Sequence, residues 1–140
     1  MSAERILVVE DVNLLRCALK VQLEAEGYQV TAAATVPEAM HATQTEMPQL
    51  MILDLTLLDS DPFAGLTDGF AFLSMLKRIH PEADFPVIVY TGDPSPEVEA
   101  RARSNGVFAV IRKGITTQEL VGLVRLALED WEARQVAQPG

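Results

Sequence analysis

The sequence predicts an α/β fold in which helices cover both faces of a parallel sheet. The first observation is that short apolar runs alternate five times with helix-like segments, a pattern typical of βαβ units with right-handed crossovers. The second is that residues 6–9 and 50–53 are apolar at every position, as in strands buried on both faces. The third is the length, because 140 residues suit one domain with a sizeable core.

Each element has recognisable limits. The predicted strands cover residues 6–9, 28–32, 50–53, 86–90 and 107–111. The predicted helices cover residues 13–26, about 35–45, 69–79, 94–104 and a last segment that begins in 116–119. Gly27 and Gly106 follow two of these helices, as residues that end helices do. Residues 35–38 and 116–119 form capping boxes, which mark helix starts.

Composition limits the classes of partner. The chain has 11 basic and 20 acidic residues, which gives a formal net charge of −9. Because this excess repels phosphate backbones, we expect no direct binding to nucleic acid, whereas a cation or a basic protein surface would suit it. No apolar run approaches the length of a membrane span, and the N-terminus lacks a signal-peptide pattern. We therefore expect a cytoplasmic location and no membrane partner.

Cys17 is the one cysteine of the chain, so an intrachain disulfide is excluded. It follows Leu14 and Leu15 on the predicted first helix, and we expect it to pack there as a small hydrophobe. Nothing near it forms the Cys/His pair of a cysteine nucleophile.

Polar side chains follow four of the five predicted strands. Glu10 and Asp11 come after the first strand, Asp54 after the third, Thr91 after the fourth and Lys113 after the fifth. Since the carboxyl ends of parallel strands share one edge of the sheet, we expect these groups to converge where ligands bind in such folds. The second strand contributes no charged group, which is consistent with a place at the edge of the sheet.

Asp54 alone has two interpretations, a helix or turn cap and a functional carboxylate. The neighbouring groups favour the second, because three clustered carboxylates repel one another unless a hard cation such as Mg²⁺ lies between them. Lys113 supplies a point charge for an anionic oxygen, and the hydroxyl of Thr91 supplies a hydrogen bond. This set suits formation of an aspartyl phosphate.

In this order, these strands and the polar residues that follow them resemble the receiver domain of two-component response regulators. The resemblance covers about residues 4–131. It implies a doubly wound, (βα)5 flavodoxin-like fold with five parallel strands in the order 2-1-3-4-5. We expect residues 1–134 to form the receiver domain and residues 135–140 to form a short flexible tail.

The resemblance also implies roles for the residues at the predicted edge. It makes Asp54 the acceptor of a phosphoryl group in a Mg²⁺-dependent reaction. Asp11, Asp54 and the backbone carbonyl of Thr56 would ligate Mg²⁺, with Mn²⁺ as a substitute, and Glu10 would help through water. Lys113 would pair with Asp54 or its phosphate.

Thr91 would move toward the phosphoryl group on activation. The implied phosphodonor is the phosphohistidine of a sensor histidine kinase or a histidine phosphotransferase, and the implied reader is a downstream protein effector. A homodimer through the fourth helix, fifth strand and fifth helix is a further partner arrangement that the family suggests. The domain would not be an enzyme for other substrates, since it would catalyse only its own phosphorylation and dephosphorylation.

Three features depart from the family pattern. The connection after the third strand is several residues longer, within 58–67, and has Leu58 where the family generally has Pro. It is either a tolerated surface insertion or a loop that shields the site or contacts a partner. Val110 stands where the family usually has an aromatic residue, and Gly114 stands where it has Pro. We therefore expect a more flexible loop after Lys113.

Two alternative functions follow from these departures and from the site itself. One is a pseudo-receiver that acts as a phosphorylation-independent protein interaction module, which Val110, Gly114 and the longer connection favour and the complete set of site residues argues against. The other is a phosphohydrolase that acts on external substrates through an aspartyl phosphate. Such enzymes usually carry a second acid two residues after the nucleophile, and Thr56 in that place argues against this class.

Overall fold

A computed structural model of the protein describes residues 3–55, 69–92 and 94–137. Strands and helices alternate throughout these segments. The strands are β1 (Arg5–Val9), β2 (Gln29–Ala33), β3 (Leu50–Asp54), β4 (Val87–Thr91) and β5 (Ala109–Arg112). The helices are α1 (Asn13–Ala25), α2 (Val36–Thr45), α3 (Gly69–Ile79), α4 (Pro96–Ser104) and α5 (Thr117–Ala137).

The five strands form one parallel sheet in the order β2-β1-β3-β4-β5, which confirms the predicted order. β3 lies at the centre, and all five of its residues are buried. Such burial on both faces explains why its sequence is apolar up to the final Asp54. The central place of β3 puts Asp54 between the ends of β1 and β4.

Helices cover both faces of the sheet, as expected. One face packs against α2, α3 and α4 through a cluster that includes Leu53, Val89 and Phe72. The other face packs against α1 and α5 and includes Ile52 and Tyr90. Because side chains alternate between the two faces along a strand, consecutive residues at the strand ends also point to opposite faces of the sheet.

Four strands, β2 to β5, each extend one residue beyond their predicted ends, and two of these extensions concern site residues. Asp54 and Thr91 both lie inside the sheet, because the ladders continue to the Asp54–Tyr90 and Thr91–Arg112 pairs. By contrast, α4 begins later than predicted, since the hydroxyl of Ser95 caps it by accepting a hydrogen bond from the backbone N–H of Val98.

The helix α5 continues to Ala137 and so includes the first three residues of the predicted flexible tail, which stays a prediction. No glycine or proline interrupts residues 123–137, and an ion pair of 3.3 Å joins Arg134 to Asp130 one turn earlier. The domain limit at 134 stays a prediction.

Within the described segments, no helix combines the length and the apolar character that crossing a membrane would require.

The prediction that Cys17 packs as a small hydrophobe on α1 is wrong, because Cys17 is exposed. Leu19 and Leu23 are buried and Leu15 packs beside them, whereas Cys17 is exposed and Leu14 is 82% exposed. Apolar residues occur on both sides of this helix, so its sequence pattern does not determine which side faces the sheet. The buried side is the row spaced four residues apart.

Candidate functional site

Two carboxylates lie side by side in the interior, at the carboxyl edge of the sheet. Glu10 follows β1 and Asp54 ends β3, and each residue is 1% exposed. The Val9–Leu53 pair puts them at the same level of neighbouring strands. The backbone N–H of Glu10 donates to the carbonyl of Ala33 at 3.0 Å, which holds the start of the β1–α1 connection against β2.

Lys113, which follows the edge strand β5, contacts both carboxylates. Its Nζ lies 3.0 Å from Oδ2 of Asp54, to which it donates a hydrogen bond, and 3.1 Å from Oε1 of Glu10. The same ammonium lies 5.9 Å from the centre of the Tyr90 ring, at the end of the intervening strand. Its backbone N–H donates to the carbonyl of Thr91 at 2.7 Å, which fixes the start of the β5–α5 connection.

Electrostatics in this cluster favour an additional positive charge. The pKa of Glu10 is raised from 4.5 to about 8: burial is the largest cause, the hydrogen bond with Asp54 and the charge of Asp54 add to it, and Lys113 opposes it. Burial lowers the pKa of Lys113, but its hydrogen bond to Asp54, its close contact with Glu10 and the charges of both carboxylates raise it, and the net direction is upward. The carboxyl of Glu10 thus favours its protonated form near neutral pH, because burial and the neighbouring Asp54 both disfavour a second buried negative charge.

The residues present fit a hard divalent cation. Carboxylate oxygens of Glu10, Asp11 and Asp54 all lie within 4.8 Å of one another, with Asp11 exposed at the mouth. Oε1 of Glu10 is buried, and although Lys113 is close, none of the described groups gives it a well-aligned hydrogen bond. Mg²⁺ or Mn²⁺ prefers ligand sets made only of oxygen atoms. A bound cation of this kind would relieve the repulsion among these carboxylates and satisfy the buried oxygen.

Of the two further predicted site residues, Thr91 and Thr56, the structure describes only Thr91. Thr91 is buried at the end of β4, one residue beyond Tyr90, the register partner of Asp54. By strand alternation its side chain leaves the sheet on the face opposite to Asp54. Thr56 and the long connection over 58–67 lie outside the described residues, so the carbonyl ligand and both interpretations of that connection stay predictions.

The structure describes the surroundings of Val110 and the backbone of Gly114, the two residues near β5 that depart from the family pattern. Val110 is half-buried opposite Val89 and packs against the cluster under α2, α3 and α4. Gly114 has a φ of +104°, a region that L-residues rarely adopt and that a proline ring excludes. The backbone after Lys113 therefore adopts a conformation that favours glycine.

Sequence reasoning missed Arg16, which is the residue that ties the acid pair to α1. Its Nη1 donates to the backbone carbonyl of Glu10 at 2.9 Å and to that of Asp11 at 3.4 Å. Its Nη2 donates to Oδ1 of Asn13. Hydrogen bonds to backbone carbonyls do not depend on the identity of the partner side chain, so no sequence motif predicts them. The only indication in the sequence was the position of Arg16 one turn into α1.

Comparison with known proteins gives a family match over most of the chain. Residues 6–125 match the family model of the response regulator receiver domain. The chain is 33% identical over 118 residues to the virulence transcriptional regulatory protein PhoP of Salmonella typhimurium, covering 84% of this chain and 48% of PhoP. It is 30% identical over 144 residues to the nitrogen assimilation regulatory protein NtrX of Azorhizobium caulinodans, covering 98% of this chain and 30% of NtrX. The chain thus spans at most about half the length of these relatives.

Solved structures share the fold. A CheY-like receiver domain from Methanospirillum hungatei superposes with a TM-score of 0.82 at 28% identity, covering 95% of this chain and 99% of that one. The receiver domain of NtrX from Brucella abortus gives a TM-score of 0.76 at 31% identity, covering 89% and 98% of the two chains. Because the family model matches most of its length and solved receiver domains share its fold, this chain belongs to the response regulator receiver domain family of two-component systems.

Proposed function

We propose that the chain is a phosphoacceptor switch of a two-component system or phosphorelay, with Asp54 as the acceptor. The observation that carries this proposal is the 3.0 Å contact between Nζ of Lys113 and the buried carboxylate of Asp54. An oxygen of Asp54 attacks the phosphorus of a phosphohistidine, the P–N bond breaks, and the imidazole leaves with the bonding electrons and takes up a proton. Lys113 lies where it can stabilise negative charge on the phosphoryl oxygens.

The acid cluster supports a cation requirement. Glu10, Asp11 and Asp54 would hold Mg²⁺, or Mn²⁺ in its place, and the backbone carbonyl of Thr56 is a further predicted ligand. Such a cation, when bound, neutralises charge shared between the carboxylates and the incoming phosphoryl group. The chain's own contribution is to keep the carboxylates at one point of the sheet edge and to exclude water from Asp54 and Glu10, which are nearly fully buried.

The proposed partners follow from this chemistry. A sensor histidine kinase or histidine phosphotransferase supplies the phosphoryl group, and a downstream protein effector or an output domain reads the switch. We include a homodimer through α4, β5 and α5 and a cytoplasmic location in the proposal. We propose no reaction on other substrates, because the site accounts for self-phosphorylation and later hydrolysis only.

Intact-mass measurement tests the proposal. The protein is incubated with Mg²⁺ and acetyl phosphate, and we expect the mass of one phosphoryl group to be added to the wild-type chain and not to Asp54→Asn. Asp130→Asn is the matched control, because Asp130 is an exposed acid paired with Arg134 on α5. An unmodified wild-type chain, or equal modification of Asp54→Asn, contradicts the proposal. The first result favours the phosphorylation-independent interaction module.

A further inference from the structure

We propose that Arg16 is a positioning residue that holds the acid pair Glu10 and Asp11 in the arrangement that binds the cation. This inference rests on the proposed function, because it concerns the same site. One guanidinium reaches three acceptors: the backbone carbonyls of Glu10 and Asp11, at 2.9 and 3.4 Å, and the side-chain oxygen of Asn13. The planar fork of an arginine can make such contacts together, whereas an ammonium acts as a single point charge.

The contacts of Arg16 complete the restraint of the β1–α1 connection. The N–H of Glu10 is bound to Ala33 in β2, and its carbonyl is bound to Arg16, so both polar groups around this residue are fixed. The connection has no side-chain cap, because the N-cap residue of α1 is Val12. Arg16 therefore supplies the order that a polar capping side chain usually supplies at such a position.

This restraint matters because the acid pair stands on that connection. The backbone N–H and carbonyl of Glu10 are both held, and Oε2 of its carboxylate also accepts a 3.5 Å hydrogen bond from the N–H of Val12 in the same connection. Asp11 is exposed, so little packing holds it, and its backbone carbonyl is the group that Arg16 contacts. Residues that orient metal ligands from outside the ligand set typically contribute about 10- to 100-fold in metal affinity.

The direction in which cation affinity changes on replacing Arg16 distinguishes a positioning role from an effect of its charge. A guanidinium close to the acid cluster repels a divalent cation, so an effect through charge alone would tighten cation binding when Arg16 is replaced by a neutral residue. Positioning predicts the opposite, a weaker site, because the loss of order outweighs the relief of repulsion. A purely structural role predicts lower stability with no change in affinity.

The experiment titrates the metal-free full chain with Mn²⁺ and follows the free ion by electron paramagnetic resonance. The variants are Arg16→Gln, Arg16→Lys and the control Arg134→Gln, which removes an exposed arginine from α5. We expect Kd for Mn²⁺ to rise about 10- to 100-fold in Arg16→Gln. A clear rise is also expected in Arg16→Lys, which keeps the charge and loses the fork, and none in Arg134→Gln. Amide exchange of Val12 and Asn13 in the metal-free protein should quicken in both Arg16 variants.

The outcomes separate this inference from the proposed function. Unchanged or tighter Mn²⁺ binding by folded Arg16→Gln overturns the positioning role, and Arg16→Lys decides in the same way if Arg16→Gln does not fold. A wild-type chain that binds no Mn²⁺ overturns the cation site and the inference with it. Phosphorylation of Asp54 is tested independently by mass, so a failure confined to Arg16 leaves the phosphoacceptor proposal standing.

Discussion

Nζ of Lys113 lies 3.0 Å from Oδ2 of Asp54, although 59 positions separate the two residues in the chain. Lys113 follows β5 and Asp54 ends β3, so the lysine reaches past the end of β4 and lies near the ring of Tyr90. The parallel sheet brings the pair together because it places the carboxyl ends of all its strands at one edge. The contact gives Asp54 a positive neighbour where a phosphoryl group would develop negative charge.

Replacing Lys113 with Met should slow phosphorylation of Asp54 while leaving the acceptor in place. Loss of one positively charged group that stabilises a developing anion typically costs about 10²- to 10³-fold in rate. The measurement is the time course of the mass increase with acetyl phosphate and Mg²⁺. Arg134→Met, which removes a cation remote from the site, is the control. An unchanged rate in Lys113→Met would show that Lys113 has no part in the transfer.

The raised pKa of Glu10 predicts a specific dependence of stability on pH. The carboxyl has a pKa of about 8 in the folded chain against its ordinary value of 4.5, so between these values the folded state binds the extra proton. Its contribution to stability is therefore complete below about pH 4.5 and is lost as the pH rises through about 8. Other carboxyl groups can give slopes of the opposite sign, so the difference between wild type and Glu10→Gln is the informative quantity.

Urea unfolding of both proteins without metal, from pH 5 to pH 8, measures that difference. We expect the free energy of unfolding of the wild type to fall, relative to Glu10→Gln, as the pH increases. Saturating Mg²⁺ should flatten the difference, because a bound cation replaces the proton. Parallel pH curves for the two metal-free proteins would contradict the raised pKa.

Two glycines provide a test of the backbone after Lys113. Gly114→Ala should destabilise the chain by about 1–3 kcal/mol, because the φ of +104° is strained for any residue with a Cβ. Gly122→Ala is the matched control: Gly122 lies inside α5, and a Cβ there meets no atom within 4 Å. It should stabilise by up to about 1 kcal/mol, since alanine is the better helix former. Urea unfolding gives both values; the same sign for both variants would refute this interpretation of Gly114.

Much of the fold could be predicted because its determinants are local in the sequence. The all-apolar run before Asp54 indicated a strand buried on both faces, and the uncharged end of β2 was consistent with its place at the edge. The ends were less predictable, because Asp54 and Thr91 continue the ladder through backbone pairing that side-chain type does not reveal. The exposed side of α1, with Leu14 and Cys17, could not be predicted from a helix that is apolar on two sides.

The site could be predicted where charge and position act together, as they do for Glu10, Asp54 and Lys113. It could not be predicted where a side chain acts on the backbone, as Arg16 does through two carbonyl groups. Thr91 illustrates an intermediate case. Its position at the correct edge followed from the strand pattern, whereas its orientation away from the face of Asp54 follows only from the register of β3 and β4.

Chemical trapping at residue 54 tests the central claim most directly. An acyl phosphate on aspartate is reduced by borohydride to homoserine, so the phosphorylated chain is reduced, digested and sequenced by mass spectrometry. We predict homoserine in place of Asp54, only after treatment with the phosphodonor and Mg²⁺, and aspartate at position 11 throughout. Intact aspartate at position 54 alongside a phosphorylated chain, or homoserine at position 11, would contradict the assignment of Asp54 as the phosphoacceptor.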